Sequence, residues 1–163
     1  MGVYLNPGNV DFQEVLNSKI YVDKSELIQY TNSVLRTTQK YICVSRPRRF
    51  GKSMAANMLT AYYSRGCDSR EMFQGLKIAK HTGFEEHLNQ YNVIHLNMRD
   101  YLTESENMKQ LIQFVEEDLL DELQQEFADL RMPRRRTLVK VLEQAFAQYK
   151  IPFVFIIDEW DCI

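Results

Sequence analysis

Cysteine, proline and glycine are scarce in this sequence of 163 residues, which contains 3 cysteines, 4 prolines and 6 glycines. The cysteines, Cys43, Cys67 and Cys162, are odd in number and far apart, which argues against a disulfide framework and against a zinc site. No apolar run approaches the ~20 residues of a membrane span. The first ten residues, MGVYLNPGNV, lack the regions of a secretory signal, so we expect a cytoplasmic protein.

An excess of charge of one sign is also missing. The sequence has 20 Lys and Arg against 22 Asp and Glu, for a formal net charge of −2. Nothing in this balance attracts nucleic acid or an anionic membrane over the whole surface. The arginine-rich run at 131–136 follows an acidic helical segment, and we interpret it as a solvated break between helices. Nucleic acid is therefore not supported as a partner.

What is present is the composition of an ordinary globular domain, with 45% hydrophobic and 26% charged residues. Short apolar runs, predicted as buried strands, alternate with amphipathic segments, predicted as helices. Strands that are apolar throughout and separated by helices indicate a parallel sheet covered on both faces, which is an α/β fold. The predicted strands are residues 40–45, 92–98 and 153–157, and the predicted helices are residues 24–35, 52–64, 105–128 and 137–149.

Ligands of such sheets bind at the carboxyl ends of the strands, and the strand at 40–45 runs into RPRRFGKS at 46–53. Gly51-Lys52-Ser53 is the end of a Walker A loop in its required context of strand, loop and helix. Gly51 lets the backbone approach a phosphate, Lys52 can reach its oxygens, and the Ser53 hydroxyl can bind Mg²⁺. The predicted nucleotide contacts are Arg49, Phe50, Gly51, Lys52, Ser53 and Met54.

This loop departs from the full pattern at one position. Arg46 stands where the first Walker A glycine is expected. The loop by itself is therefore equally compatible with a surface turn that opens a helix. In the absence of nucleotide we expect Arg46, Arg48 and Arg49 to be partly exposed.

The apolar strand at 153–157 ends in two carboxylates, Asp158 and Glu159, which is the Walker B pattern. Asp158 would bind Mg²⁺, and Glu159 would activate a water for attack on the terminal phosphate. An acidic turn after a core strand is the alternative for this motif alone. Both motifs together, each at a strand end, favour nucleotide binding, and the missing Asn-Lys-x-Asp motif favours ATP over GTP.

These residues resemble the predicted AAA-ATPase-like proteins of bacteria, which often carry a C-terminal PD-(D/E)XK nuclease-like domain. The likeness runs through YLNPGN at 4–9, IYVDKSELI at 20–28, SRPRRFGKSM at 45–54, MFQGLKI at 72–78, NVIHLNM at 92–98 and FIIDEWD at 155–161. That family also carries Arg in place of the first Walker A glycine. The resemblance implies a P-loop NTPase three-layer sandwich with a parallel sheet. No nuclease residue is present, so nuclease activity is not carried over.

The resemblance also implies that the sequence is the N-terminal portion of such a domain, with an incomplete sheet. We expect residues 1–38 to form an N-terminal segment and residues 39–163 the Walker A to Walker B core. We expect three parallel strands, with 92–98 beside 153–157 and with 40–45 either separated by a gap or forced into pairing. Such a fragment should be marginally stable or self-associate. The missing C-terminal domains are the alternative binding partners of this segment.

The function we infer is Mg²⁺-dependent ATP binding, with hydrolysis in the intact protein and with Lys52 and Glu159 as catalytic residues. A regulatory nucleotide-binding module with little turnover and a degenerate P-loop scaffold for protein interaction remain alternatives. In ATPases of the kind resembled, segments such as residues 21–24 lie beside the adenine. A capped surface helix with Asp23 as N-cap is the simpler interpretation of this segment.

Overall fold

The computed structural model describes residues 2–45, 47 and 49–162. Within these residues helices and strands mix in an α/β arrangement, and no helix is long and apolar enough to cross a membrane. The helices are α1 (Val10–Leu16), α2 (Glu26–Val34), α3 (Lys52–Tyr63), α4 (Arg70–Phe73), α5 (Met98–Glu104), α6 (Met108–Glu126) and α7 (Leu138–Tyr149), with 3₁₀ turns at Lys77–Lys80 and Trp160–Cys162, and the strands are β1 (Asn92–Asn97) and β2 (Phe153–Asp158).

Strands β1 and β2 pair in parallel, from Asn92 opposite Phe153 to Asn97 opposite Asp158. This confirms the predicted neighbours. Both strands carry apolar side chains on both faces, as expected for a sheet with helices on either side. The parallel register brings the carboxyl ends of both strands to the same edge of the sheet.

The second edge of β1 is occupied by the N-terminal residues, a pairing that the sequence did not reveal. Leu5 forms an antiparallel bridge with Ile94. The Asn6 N–H donates to the Val93 carbonyl at 2.7 Å, and the His95 N–H donates to the Tyr4 carbonyl at 2.9 Å. With β2 on one side and residues 4–6 on the other, β1 is the central element of the sheet.

A hydrophobic cluster lies on each face of the sheet, although Phe155 and Ile157 of β2 remain exposed. On one face, α6 and α7 pack their apolar stripes against Ile94 and Leu96 of β1. On the other face, α1, α2 and α3 pack against Val93 of β1 and against Val154 and Ile156 of β2. The helical stripe includes Leu119, Leu123 and Val141, which are buried, whereas Ile112 and Phe146 are exposed.

The predicted strand at residues 40–45 is wrong, and the expected third strand is absent from the described part of the chain. These residues form no regular structure, and Tyr41 is 85% exposed. We expected this segment to be either separated from the sheet by a gap or forced into pairing. Pairing along β2 is not seen among the described residues. A β-branched, apolar run becomes a strand only when another strand satisfies its backbone donors and acceptors.

Aromatic side chains dominate the cluster under α3. The Tyr62 ring is fully buried, and its hydroxyl donates to the Phe84 carbonyl at 2.6 Å and accepts from the Asn32 amide at 3.0 Å. Burial raises the pKa of Tyr62 to about 12, although the Asn32 hydrogen bond lowers it. This hydroxyl is therefore a fully paired donor and acceptor inside the core.

The Tyr21 hydroxyl is different, because it is buried without a hydrogen-bond partner among the described residues. Burial raises the pKa of Tyr21, and the nearby Asp23 carboxylate raises it further. The Lys24 backbone N–H lowers this pKa, but it is a donor, so the Tyr21 hydroxyl still has no acceptor among the described residues. A buried donor without an acceptor is a cost to the folded state.

We predict that Tyr62→Phe lowers the free energy of unfolding by about 1–3 kcal/mol, because it leaves the Phe84 carbonyl without its donor in the core. Tyr21→Phe should leave that free energy unchanged or raise it slightly, since it removes an unpaired hydroxyl. Urea denaturation of both variants measures the difference. Equal losses in the two variants would contradict the assignment of an unpaired Tyr21 hydroxyl.

Candidate functional site

The N-terminus of α3 is built by Gly51, which adopts the left-handed conformation at φ 75° and ψ 37°. A side chain at this position would be strained, so the sequence needs glycine for the turn into the helix. No described side chain caps α3. The first-turn N–H groups of Ser53 and Met54 lack intrahelical acceptors, and this end of the helix attracts anions.

Lys24 ties the N-terminal part of the chain to this turn. Its Nζ donates to the Phe50 carbonyl at 2.7 Å, and it lies 3.1 Å from the position that a Gly51 Cβ would occupy. This hydrogen bond fixes the backbone of Phe50, the residue immediately before Gly51. Lys24 thus belongs to the site, which the surface-helix interpretation did not predict.

The same segment corrects the predicted helix cap. Ser25, not Asp23, is the N-cap residue of α2, which begins at Glu26. The Asp23 carboxylate instead accepts the Ser25 N–H at 2.8 Å and the Lys77 N–H at 2.8 Å. Asp23 therefore joins the start of α2 to the 3₁₀ turn at Lys77–Lys80. It lies too far before Glu26, the first residue of α2, to be the N-cap.

A polar hollow of about 270 Å³ opens at the α3 N-terminus. It brings together five of the predicted nucleotide contacts with the predicted catalytic Glu159. Phe50, the sixth predicted contact, does not line this hollow but lines the neighbouring one. The lining residues are Pro47, Arg49, Gly51, Lys52, Ser53, Met54, Arg99 and Glu159.

Asp158, the predicted metal ligand, is the last residue of β2 and is not among the residues that line this hollow. Alternation along β2 places it on the same face as Val154 and Ile156, which pack with α3. Its Oδ1 accepts the Glu159 N–H at 2.9 Å. Asp158 therefore lies on the sheet face that α3 covers, and Ser53 lies in the first turn of that helix.

His95 is a partly buried ionisable group of β1 near this edge. Burial lowers the pKa of His95, and the negative charge of Asp158 works in the opposite direction. Its Nδ1 lies 3.1 Å from the Thr60 hydroxyl of α3. A lowered pKa keeps the imidazole neutral at neutral pH, and its contact with Thr60 ties β1 to α3.

Glu159 follows β2 in an unusual conformation. Its φ is 55°, in the left-handed region that non-glycine residues rarely adopt. Its Oε2 accepts a hydrogen bond from Arg99 Nη2 at 2.6 Å, and its N–H is held by Asp158. A strained residue held by two contacts is the kind of position that clusters at functional sites.

Arg99 is a further site residue that the sequence did not reveal. It lies in the first turn of α5, two residues after the end of β1. The signal was available, because polar residues that follow neighbouring parallel strands meet at one edge of the sheet. The strand predicted at residues 92–98 ends directly before Arg99.

A second, apolar hollow of about 280 Å³ adjoins the polar one and shares Arg49, Gly51 and Met54 with it. Tyr21, Lys24 and Ala55 contribute to its walls. Volumes near 300 Å³ are at the lower end for small-molecule sites. Its remaining apolar side chains are those of Phe12, Ile20, Val22, Phe50 and Met58.

The loop arginines were expected to be partly exposed. Arg49 is exposed and adopts φ 68°, which agrees with that expectation. Arg46 and Arg48 lie outside the described residues.

The model of the predicted AAA-ATPase family matches residues 7–163. The chain belongs to the predicted AAA-ATPase family. Membership in the predicted AAA-ATPase family confirms the resemblance drawn from RPRRFGKS and FIIDEWD, and the family's name suggests nucleotide binding. A search of curated proteins and a search of solved structures each returned no match.

We predict that Gly51→Ala lowers the free energy of unfolding by about 1–2 kcal/mol, because alanine pays a steric penalty in the left-handed region. The matched control is Gly75→Ala, whose Cβ would meet no atom within 4 Å and whose φ is not in that region. Urea denaturation of both variants tests this. If both variants behave alike, the left-handed turn at Gly51 is not required.

Proposed function

We propose that this chain binds ATP together with Mg²⁺ on a P-loop three-layer sandwich and that the intact protein hydrolyses it. The observation that carries the proposal is the convergence of Lys52, Ser53 and Glu159 on one polar hollow. Lys52 and Ser53 are adjacent in the sequence but far from Glu159, and the three meet at the carboxyl edge of a parallel sheet. That edge is where ligands of such sheets bind.

The phosphates would occupy the polar hollow. The N-terminus of α3, which no side chain caps among the described residues, offers N–H groups to phosphate oxygens, and the left-handed turn at Gly51 lets the backbone approach them. Lys52 adds a cationic side chain on the hollow wall. The exposed Arg49 lies at the same wall, where its guanidinium can add to the positive potential.

The donor set near the hollow fits Mg²⁺ better than a transition metal. Ser53 supplies a hydroxyl oxygen and Asp158 a carboxylate, and Mg²⁺ is held by one or two such groups plus phosphates and waters. Among the described residues no group of three or more His, Cys, Asp or Glu could hold a metal alone. When bound, Mg²⁺ would neutralise negative charge on the phosphates.

The base would lie in the apolar hollow. This hollow adjoins the phosphate site through Gly51 and Met54, and the aromatic ring of Phe50 is 59% exposed at its wall. An apolar, partly aromatic surface suits a planar nucleobase. Lys24 donates a hydrogen bond to the Phe50 carbonyl and would thereby hold the loop between the two hollows in position.

Glu159 would act as the general base. It lies at the hollow wall with Lys52, and a carboxylate there can accept a proton from a water that attacks the terminal phosphate. The hydrogen bond from the Glu159 N–H to Asp158 fixes the backbone from which this carboxylate extends. Hydrolysis would then depend on freeing the carboxylate from Arg99.

We predict that Lys52→Ala lowers ATP affinity by about 10-fold or more, because a charge-assisted contact with phosphate is lost. Isothermal titration with ATP, with and without Mg²⁺, measures the change. The matched control is Lys140→Ala, which removes an exposed lysine paired with Glu143 on α7. Equal affinity of the Lys52 variant and the parent would refute the phosphate-site assignment and favour a scaffold function.

We predict that Glu159→Gln, made in the intact protein, keeps ATP binding and loses turnover by about 10²- to 10⁴-fold, as expected for a missing general base. The amide preserves the shape of the side chain but cannot accept the proton. Phosphate release measures turnover, with Glu85→Gln as the control for loss of an exposed carboxylate. Unchanged turnover would assign the base to another group, and absent turnover in the parent would favour a regulatory module.

A further inference from the structure

The peptide group that joins Phe50 to Gly51 is held by a side chain from a distant part of the sequence. Lys24 Nζ lies 2.7 Å from the Phe50 carbonyl oxygen. The hydrogen-bond ladder of α3 begins one residue later, where the Gly51 carbonyl accepts the Ala55 N–H at 3.1 Å. Among the described residues Lys24 is therefore the only hydrogen-bond donor to the Phe50 carbonyl, and it fixes the direction of that carbonyl.

Fixing this carbonyl also fixes the N–H group of Gly51. Both groups belong to one planar trans peptide, in which they point in opposite directions. The carbonyl is turned towards Lys24, so the Gly51 N–H is turned away from it. Lys24 and Phe50 line the apolar hollow and not the polar one, whereas Gly51 lines both.

The backbone on either side of this peptide has the alternation that anion-binding loops use. Arg49 and Gly51 have positive φ values of 68° and 75°, while Phe50 between them does not. Such alternation makes successive N–H groups converge, which forms a concave site for an anion. The conformation is strained at Arg49, which is not glycine, so other contacts must hold it. The hydrogen bond from Lys24 is a contact of this kind.

The backbone around Lys24 is itself held in place. The carboxylate of the preceding residue, Asp23, accepts the Lys77 N–H at 2.8 Å. The following residue, Ser25, is fully buried, and its hydroxyl accepts the Ile78 N–H at 3.1 Å. Lys24 therefore extends towards the loop from a segment that is hydrogen-bonded on both sides.

We propose that Lys24 is a positioning residue of the phosphate site: it turns the Gly51 N–H into the polar hollow, where this group donates to a phosphate oxygen. Lys24 does so without touching the phosphate, because its Nζ is engaged by the carbonyl on the other side of the peptide. This inference rests on the proposed function. It makes phosphate binding depend on a side chain that lines only the apolar hollow.

The first test is titration of the full chain with ATP and with tripolyphosphate, which carries phosphates but no base. Lys24→Met keeps the length of the side chain but not the donor, and it should lower both affinities by about 3- to 10-fold, the effect of one hydrogen bond. Lys24→Arg keeps a donor and should restore part of the loss. The matched control is Lys19→Met, which removes an exposed lysine of the same N-terminal segment and should bind both ligands as the wild type does.

Unchanged tripolyphosphate affinity with weaker ATP binding would overturn the inference, because it would assign Lys24 to the base or the ribose. Unchanged affinity for both ligands, or an equal loss in Lys19→Met, would overturn it as well. Any of these results leaves the proposed function standing. If the wild-type chain binds neither ligand, the proposed function fails and the inference fails with it. Thermal melting of each variant without ligand identifies any loss of folding.

The second test separates position from charge, since the Lys24 ammonium also attracts phosphate at a distance. An N–H that donates to a phosphate moves its proton resonance downfield, and NMR of the isotope-labelled chain at saturating tripolyphosphate measures this shift for Gly51. The shift should be large in the wild type and in Lys24→Arg, and clearly smaller in Lys24→Met. An equal shift in all three would overturn the inference, because only the charge of Lys24 would then contribute.

Discussion

The parallel pairing of β1 with β2 is the constraint on which the rest of the structure depends. Because Asn97 lies opposite Asp158, the residues that follow both strands emerge at one edge of the sheet. Arg99 and Glu159 meet there, 60 residues apart in sequence. A slip of one residue in this register would move every side chain of one strand to the opposite face. The buried clusters on both faces exclude such a slip.

The N-terminal residues are held beside β1 by the carboxylate of Glu122. Glu122 of α6 accepts the N–H groups of Val3, Tyr4 and Leu5, with the Leu5 contact at 2.6 Å. This holds residues 3–5 beside β1, where Tyr4 and Leu5 take part in its pairing. The long helix is thus fastened to the edge of the sheet by polar contacts as well as by its apolar stripe.

Elements with a strong local signal could be predicted from the sequence. Helix α3 follows from its Ala- and Met-rich sequence after Gly51, α6 from apolar residues at every fourth position, and β2 from five consecutive apolar residues. The strand at 40–45 failed because a strand is not a local structure. Its stability lies in hydrogen bonds to a neighbour, and the local pattern cannot say whether that neighbour exists.

The sequence alone determined the chemistry that the site can offer: a glycine where the chain must turn into a helix, a lysine and a serine after it, and two carboxylates at the end of an apolar strand. These identities follow from local backbone and side-chain requirements. Only the tertiary structure decided which side chains meet, namely Lys24 with the Phe50 carbonyl and Arg99 with Glu159. Such contacts depend on strand register and helix packing, which arise from interactions among residues far apart in the chain.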